Sequence, residues 1–129
     1  MSKQTPELLN CQGKKLSFLE EPLAPYLEFH EIDDRFLSYS SENERGYIGI
    51  WEIIENKLYL SDLKGFDEDM QLIGMEAIFQ NPEPVFAAWY TGEITLLVHT
   101  GIVGGAKKWI KRRLIFQDGL LIDELDQDR

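Results

Sequence analysis

One cysteine, two histidines and five prolines are all that the 129 residues contain. Cys11 alone closes no internal disulfide, and with His30 and His99 it offers no set of ligands at transition-metal spacing. Carboxylates abound, but no Asp-x-Asp-x-Asp-Gly loop is present to hold calcium. No apolar run approaches the roughly 20 residues that a membrane-spanning helix needs. The first residues, Met1-Ser2-Lys3-Gln4-Thr5-Pro6-Glu7, lack the apolar segment of a secretory leader, so the expected compartment is the cytoplasm. Positive charge is also scarce: 13 Lys and Arg stand against 23 Asp and Glu, for a net charge of -10 and an isoelectric point near 4.6. Such a surface repels bare nucleic acid and steers association towards a basic partner.

No repeat, low-complexity tract or linker divides the chain, and one domain over residues 1–129 is expected. Leu8 to Leu19 places two apolar segments about Gly13 and predicts an N-terminal hairpin. Pro22 and Pro25 interrupt regular structure, and Tyr26 to Ile32 and Phe36 to Ser41 read as extended about an Asp33-Asp34 turn. A polar loop over residues 40–44 leads to the clearest strand. Tyr47, Gly49, Trp51 and Ile53 alternate with Ile48, Ile50, Glu52 and Ile54, and apolar residues on both faces predict a central position in a sheet. Glu55-Asn56-Lys57 reverses the chain into Leu58 to Leu63.

Asp67, Glu68 and Asp69 then resemble a helix start, Leu72, Met75, Ile78 and Phe79 recur at helical spacing, and Asn81-Pro82 is a stop; one helix over about 67–81 is predicted. Val85 to Tyr90 and Glu93 to His99 read as a further hairpin about Thr91-Gly92. Trp109 to Phe116 and Leu120 to Leu125 flank Asp118-Gly119, a type I′ turn signal. The acidic tail from Asp123 is expected to fray. The predicted class is α+β: mainly antiparallel sheet, about eight short strands, and one helix.

Chemical motifs are few. No nucleophile elbow occurs, and Cys11 reads as an inert, half-buried thiol. His99, at the end of an alternating strand, reads as a hydrogen-bonded rim residue and not as a base. Gly101-Ile102-Val103-Gly104-Gly105-Ala106-Lys107-Lys108 falls short of a phosphate-binding loop, since Ala106 and Lys108 stand where the second glycine and the magnesium-binding hydroxyl belong. It reads instead as a flexible loop between strands. No catalytic residue, metal site or cofactor is therefore assigned.

Charge distribution is more informative. Residues 101–117 hold Lys107, Lys108, Lys111, Arg112 and Arg113 and no acid, whereas both flanking segments are acidic. With Trp109 inside the run, this is the candidate anion or partner surface, and Trp89, Tyr90 and Trp109 are the candidate interface aromatics. Cross-strand pairing predicts the opposite fate for the cations, with acids such as Asp123 and Glu124 neutralising them.

The segments Arg45-Gly46-Tyr47-Ile48-Gly49-Ile50-Trp51-Glu52-Ile53, Leu58-Tyr59-Leu60 and Val85 to Ile94, containing Trp89-Tyr90-Thr91-Gly92-Glu93, resemble short bacterial proteins of no assigned activity. The resemblance covers about a third of the chain, and it implies a shared fold and a bacterial accessory role but no catalytic residues. Together these features point to a non-enzymatic acidic interaction protein of the immunity or antitoxin type that binds a basic protein. The alternative is a small-ligand or anion-binding protein, an enzyme included, that uses the 101–113 segment.

Overall fold

The structure is a computed structural model that describes residues 5–11, 13–32, 35–38, 43, 45–80 and 83–128. The Asp33-Asp34 turn, most of the 40–44 loop, the Asn81-Pro82 stop and the side chains of Lys107 and Lys108 lie outside the described residues. In chain order the elements are β1 (Glu7–Cys11), β2 (Lys14–Phe18), α1 (Ala24–Phe29), β3 (Tyr47–Ile54), β4 (Lys57–Phe66), β5 (Leu72–Ile73), β6 (Val85–Phe86), β7 (Gly92–Val103), β8 (Ala106–Gln117) and β9 (Leu120–Asp128). The nine strands form one sheet of order β2-β1-β3-β4-β9-β8-β7, with β5 and β6 attached to β4. All pairings are antiparallel except that of β1 with β3. β2 lies against β7, so the sheet curls back on itself and its inner face encloses one apolar cluster. Among the described residues, no helix is long and apolar enough to cross a membrane.

The mainly antiparallel class agrees with the sequence, and so do the hairpins expected over 8–19, 47–63 and 109–125. β1 and β2 pair from Glu7↔Phe18 to Cys11↔Lys14, and β3 is central, between β1 and β4. Its Tyr47, Gly49 and Trp51 are buried as the alternation requires. Two-residue turns close three long hairpins: Glu55-Asn56, Gly104-Gly105 and Asp118-Gly119 all sit at positive φ, as type I′ turns demand. The glycine segment expected to be a flexible loop is thus the end of β7, a tight turn and the start of β8.

Further expectations are corrected. The helix is not at 67–81: there Asp67 Oδ1 accepts the N–H groups of Asp69 and Gln71, both at 2.9 Å, and Met70 adopts φ +59°. The acid that resembled a helix cap closes a tight turn instead, because its side chain competes for backbone N–H groups. Leu72–Ile73 then pairs with Phe66 and Gly65, and only a single 3-10 turn, Met75–Ala77, follows. Met75, Ile78 and Phe79 still reach the core.

The helix is instead α1, where an extended segment was expected. Pro25 lies in its first turn, where no intrahelical N–H bond is lost, and Leu23 and Leu27, four residues apart, are both buried. Phe36 to Ser38 are not in a strand, although the Leu37 N–H donates to Phe66 O at 2.7 Å.

Val85 to Tyr90 do not form a hairpin with β7. Val85 and Phe86 pair with Leu60 and Tyr59 of β4, and the chain then turns, with Tyr90 N–H donating to Ala87 O at 3.0 Å. Finally, the tail does not fray: β9 stays paired with β8 as far as Ile110↔Asp128.

Gly119 joins these parts. Its N–H donates to Tyr90 O at 2.8 Å and its carbonyl accepts the Leu58 N–H at 2.9 Å. A Cβ here would stand 2.5 Å from Ala87 O on a backbone at φ +80°. Gly119→Ala is expected to cost about 2 to 3 kcal/mol, from left-handed strain and the displaced carbonyl. A urea melt with an unchanged midpoint would contradict this close packing.

Candidate binding surface on the β7–β8–β9 sheet

The basic run lies along β8, and the residues across from it decide its charge. Arg112 faces inward, opposite Asp126. Its Nε and Nη2 donate to Asp126 Oδ1 and Oδ2 at 2.9 and 3.1 Å, and Nε lies 3.1 Å from Glu124 Oε1. This bidentate bond holds the Asp126 carboxyl below the usual carboxylate range and raises the Arg112 guanidinium. Arg113 points the other way and is clasped by Glu93 of β7, with Nη2 at 2.6 Å and Nε at 3.1 Å from Oε2. Lys111 is exposed, across from Leu97 and Gln127. By backbone register Lys107 and Lys108 oppose Ile102 and Gly101 near the hairpin tip. The three cations whose side chains are described therefore do not share one open face: Arg112 and Arg113 are engaged by acids, one of which, Glu124, was foreseen across the hairpin.

The aromatics divide similarly. Tyr90 is buried, its hydroxyl donates to Glu93 O at 2.6 Å, and burial ahead of the Glu20 and Glu93 charges pushes its pKa up to about 12. Trp89 is half-buried against Tyr26 and Phe79, and its Nε1 donates to Pro22 O at 2.7 Å. Trp109 is exposed beside His99, with ring centroids 5.3 Å apart. On the outer face Trp109 shares its exposure with Leu97 and Leu125.

Two further features were not apparent from the sequence. β9 meets β4 only at Lys57↔Leu120, with the Leu121 N–H donating to Asn56 O at 2.7 Å. Beyond Leu121, no strand among the described residues pairs with the side of β9 that faces away from β8. The Glu124 N–H donates to Asp123 Oδ1 at 2.8 Å, and taking that N–H as directed away from β8, the period of two directs the Asp126 N–H outward as well. Beside this edge, between the inner face of β8–β9 and the β1–β2 hairpin, lies a cavity of about 300 Å³. Leu9, Leu16, Ile53, Leu96, Leu114 and Leu121 line it, with Asn10, Cys11, Arg112 and Glu124 as its polar groups. Among the described residues no cluster of His, Cys, Asp and Glu is arranged to hold a metal ion.

Set against family models, curated proteins and solved structures, the chain matches none of them.

Proposed function

We propose that the chain is a non-enzymatic acidic interaction protein of the bacterial cytoplasm, of the immunity or antitoxin type, that binds a basic partner protein without a cofactor. The observation that carries this reading is the internal neutralisation of Arg112 by Asp126 and Glu124 and of Arg113 by Glu93. With these cations engaged, the excess acid that gives the chain its net charge of -10 dominates the field met by an approaching molecule. The same ion pairs weigh against the anion-binding alternative, which needs the cations of 101–113 free.

Titration with fluorescent peptides of matched length, one rich in lysine, one in glutamate and one neutral, tests the reading. The lysine peptide is expected to bind alone, weakening about tenfold between 50 and 200 mM salt as the charges are screened. Equal binding of all three peptides would overturn the proposal. So would a rise in melting temperature with millimolar phosphate or nucleotide, which would restore the anion-ligand alternative.

A further inference from the structure

The open edge and the cavity beside it specify how a basic segment is held. An unpaired edge presents backbone donors and acceptors, and adding a strand is the direct way to satisfy them; on β9 the Glu124 N–H is already held by Asp123 Oδ1, which an added strand displaces. On β9 that edge carries acids: Asp123, Glu124 and Asp126 lie within its last six residues. The side chains on its inner face have a further property. Asp126 spends both carboxylate oxygens on Arg112, whereas Glu124 lies near Arg112 Nε through Oε1 alone. Two carboxylates thus share one guanidinium. The surplus negative charge sits on Glu124, at the wall of a cavity otherwise lined largely by leucine and isoleucine. An aliphatic stem ending in a cation fits that combination: the methylenes cover the apolar lining and the head group meets the carboxylate.

We infer that the outer edge of β9, from Ile122 to Asp128, takes up an extended basic segment of the partner as an added strand, with a lysine or arginine side chain entering the cavity against Glu124. This rests on the proposed binding of a basic protein and names the element and side chain that accomplish it. Charge complementarity selects the occupant, since a neutral or acidic strand would leave the carboxylate charge that Arg112 does not balance uncompensated. A basic strand satisfies the backbone edge and the acids together.

The test uses the full chain and a peptide of about nine residues alternating lysine and threonine, compared with the same peptide N-methylated at alternate backbone positions. Methylation keeps every charge and removes the hydrogen bonds of a strand. The unmodified peptide is expected to bind about tenfold more tightly, and Glu124→Gln to weaken it about fivefold. Asp126→Pro removes an outward N–H that the β8 ladder does not use, and a proline is tolerated there. It is expected to bind about tenfold more weakly than Asp126→Asn, which loses the charge but keeps the N–H.

If both peptides bind equally to the wild-type chain, attraction is by charge alone: strand addition is overturned while the proposed function stands. Unchanged binding by Glu124→Gln removes the cavity from the inference. If neither peptide binds, the proposed function fails as well. A chain that is dimeric in sedimentation and becomes monomeric with Asp126→Pro would show that a second copy, and not a basic peptide, occupies the edge.

Discussion

Trp51→Ala is expected to lower the free energy of unfolding by about 3 to 5 kcal/mol, the range for deleting a large buried aromatic. Trp51 is fully buried in the central strand β3 and paired with Leu60 of β4. Its neighbours belong to a β-sheet whose backbone hydrogen bonds limit collapse into the vacated space, so most of the cavity should persist. The indole is also tied by Nε1, which donates to Glu7 Oε1 at 3.2 Å. Urea denaturation followed by far-UV circular dichroism measures the loss. A change below about 1 kcal/mol would mean that the strand repacks freely around the gap, contrary to the packing described.

The second large effect is expected at the carboxylate itself. Glu7 is buried, and its Oε2 accepts from Arg45 Nη2 at 2.9 Å and from the Gly49 N–H at 2.6 Å. The Arg45 side chain is only 8% exposed. At Gly49, a Cβ would lie 2.7 Å from both Glu7 Oε1 and Trp51 Nε1, so this cluster closes only around a glycine. Glu7→Ala leaves a buried guanidinium, an indole N–H and a backbone N–H without their acceptor, and a cost of about 3 to 5 kcal/mol is expected. Replacing both members, Glu7→Leu with Arg45→Met, removes the charges together and is expected to recover most of that loss. A double variant as unstable as Glu7→Ala would show that the pair acts through shape and not through charge.

The pair also imposes a pH dependence. Burial pushes the Glu7 carboxyl above its ordinary value of 4.5, outweighing the pull of Arg45, Gly49 and Trp51. As pH rises from about that ordinary value to the raised native one, the unfolded chain releases the proton first. Stability from this group is therefore full below the ordinary value and is lost through the window above it. The wild type should lose stability relative to the Glu7→Leu, Arg45→Met variant on going from pH 4 to pH 7. The opposite slope would mean that the ionised form is the one the fold favours.

What could be read from the sequence was what depends on neighbours in the chain. The two-face alternation of Tyr47 to Ile54 and the turn pairs Glu55-Asn56 and Asp118-Gly119 are local signals, and the hairpins follow from them. Asp67 misled because one carboxylate serves equally as a helix cap or as the closure of a tight turn, and only the free edge of β4 beside Leu72–Ile73 decides between them. Pro25 misled because a first helical turn tolerates the residue that breaks a helix elsewhere. Glu7 gave no signal at all: its partners lie some 40 positions away, and the parallel pairing of β1 with β3 that brings them near leaves no trace in either segment. For the binding surface, the opposition of β8 and β9 charges followed from hairpin register. The acidic run of β9 resembled a solvated tail because its inward pair, Glu124 and Asp126, is defined only by Arg112 across the ladder.

The acids along β9 also govern how the molecule behaves in a crowd of its own kind. Two copies meeting along this edge would set one row of carboxylates against an identical row, and near neutral pH that repulsion keeps an otherwise open strand from templating a ribbon of chains. The protection is electrostatic and therefore conditional. Around the isoelectric point of about 4.6 the net charge vanishes. There the repulsion between whole molecules fades, and the backbone row with exposed Ile122 and Leu125 is guarded only by the acids still ionised beside it, so acidity and concentration jointly set the colloidal limit of this protein.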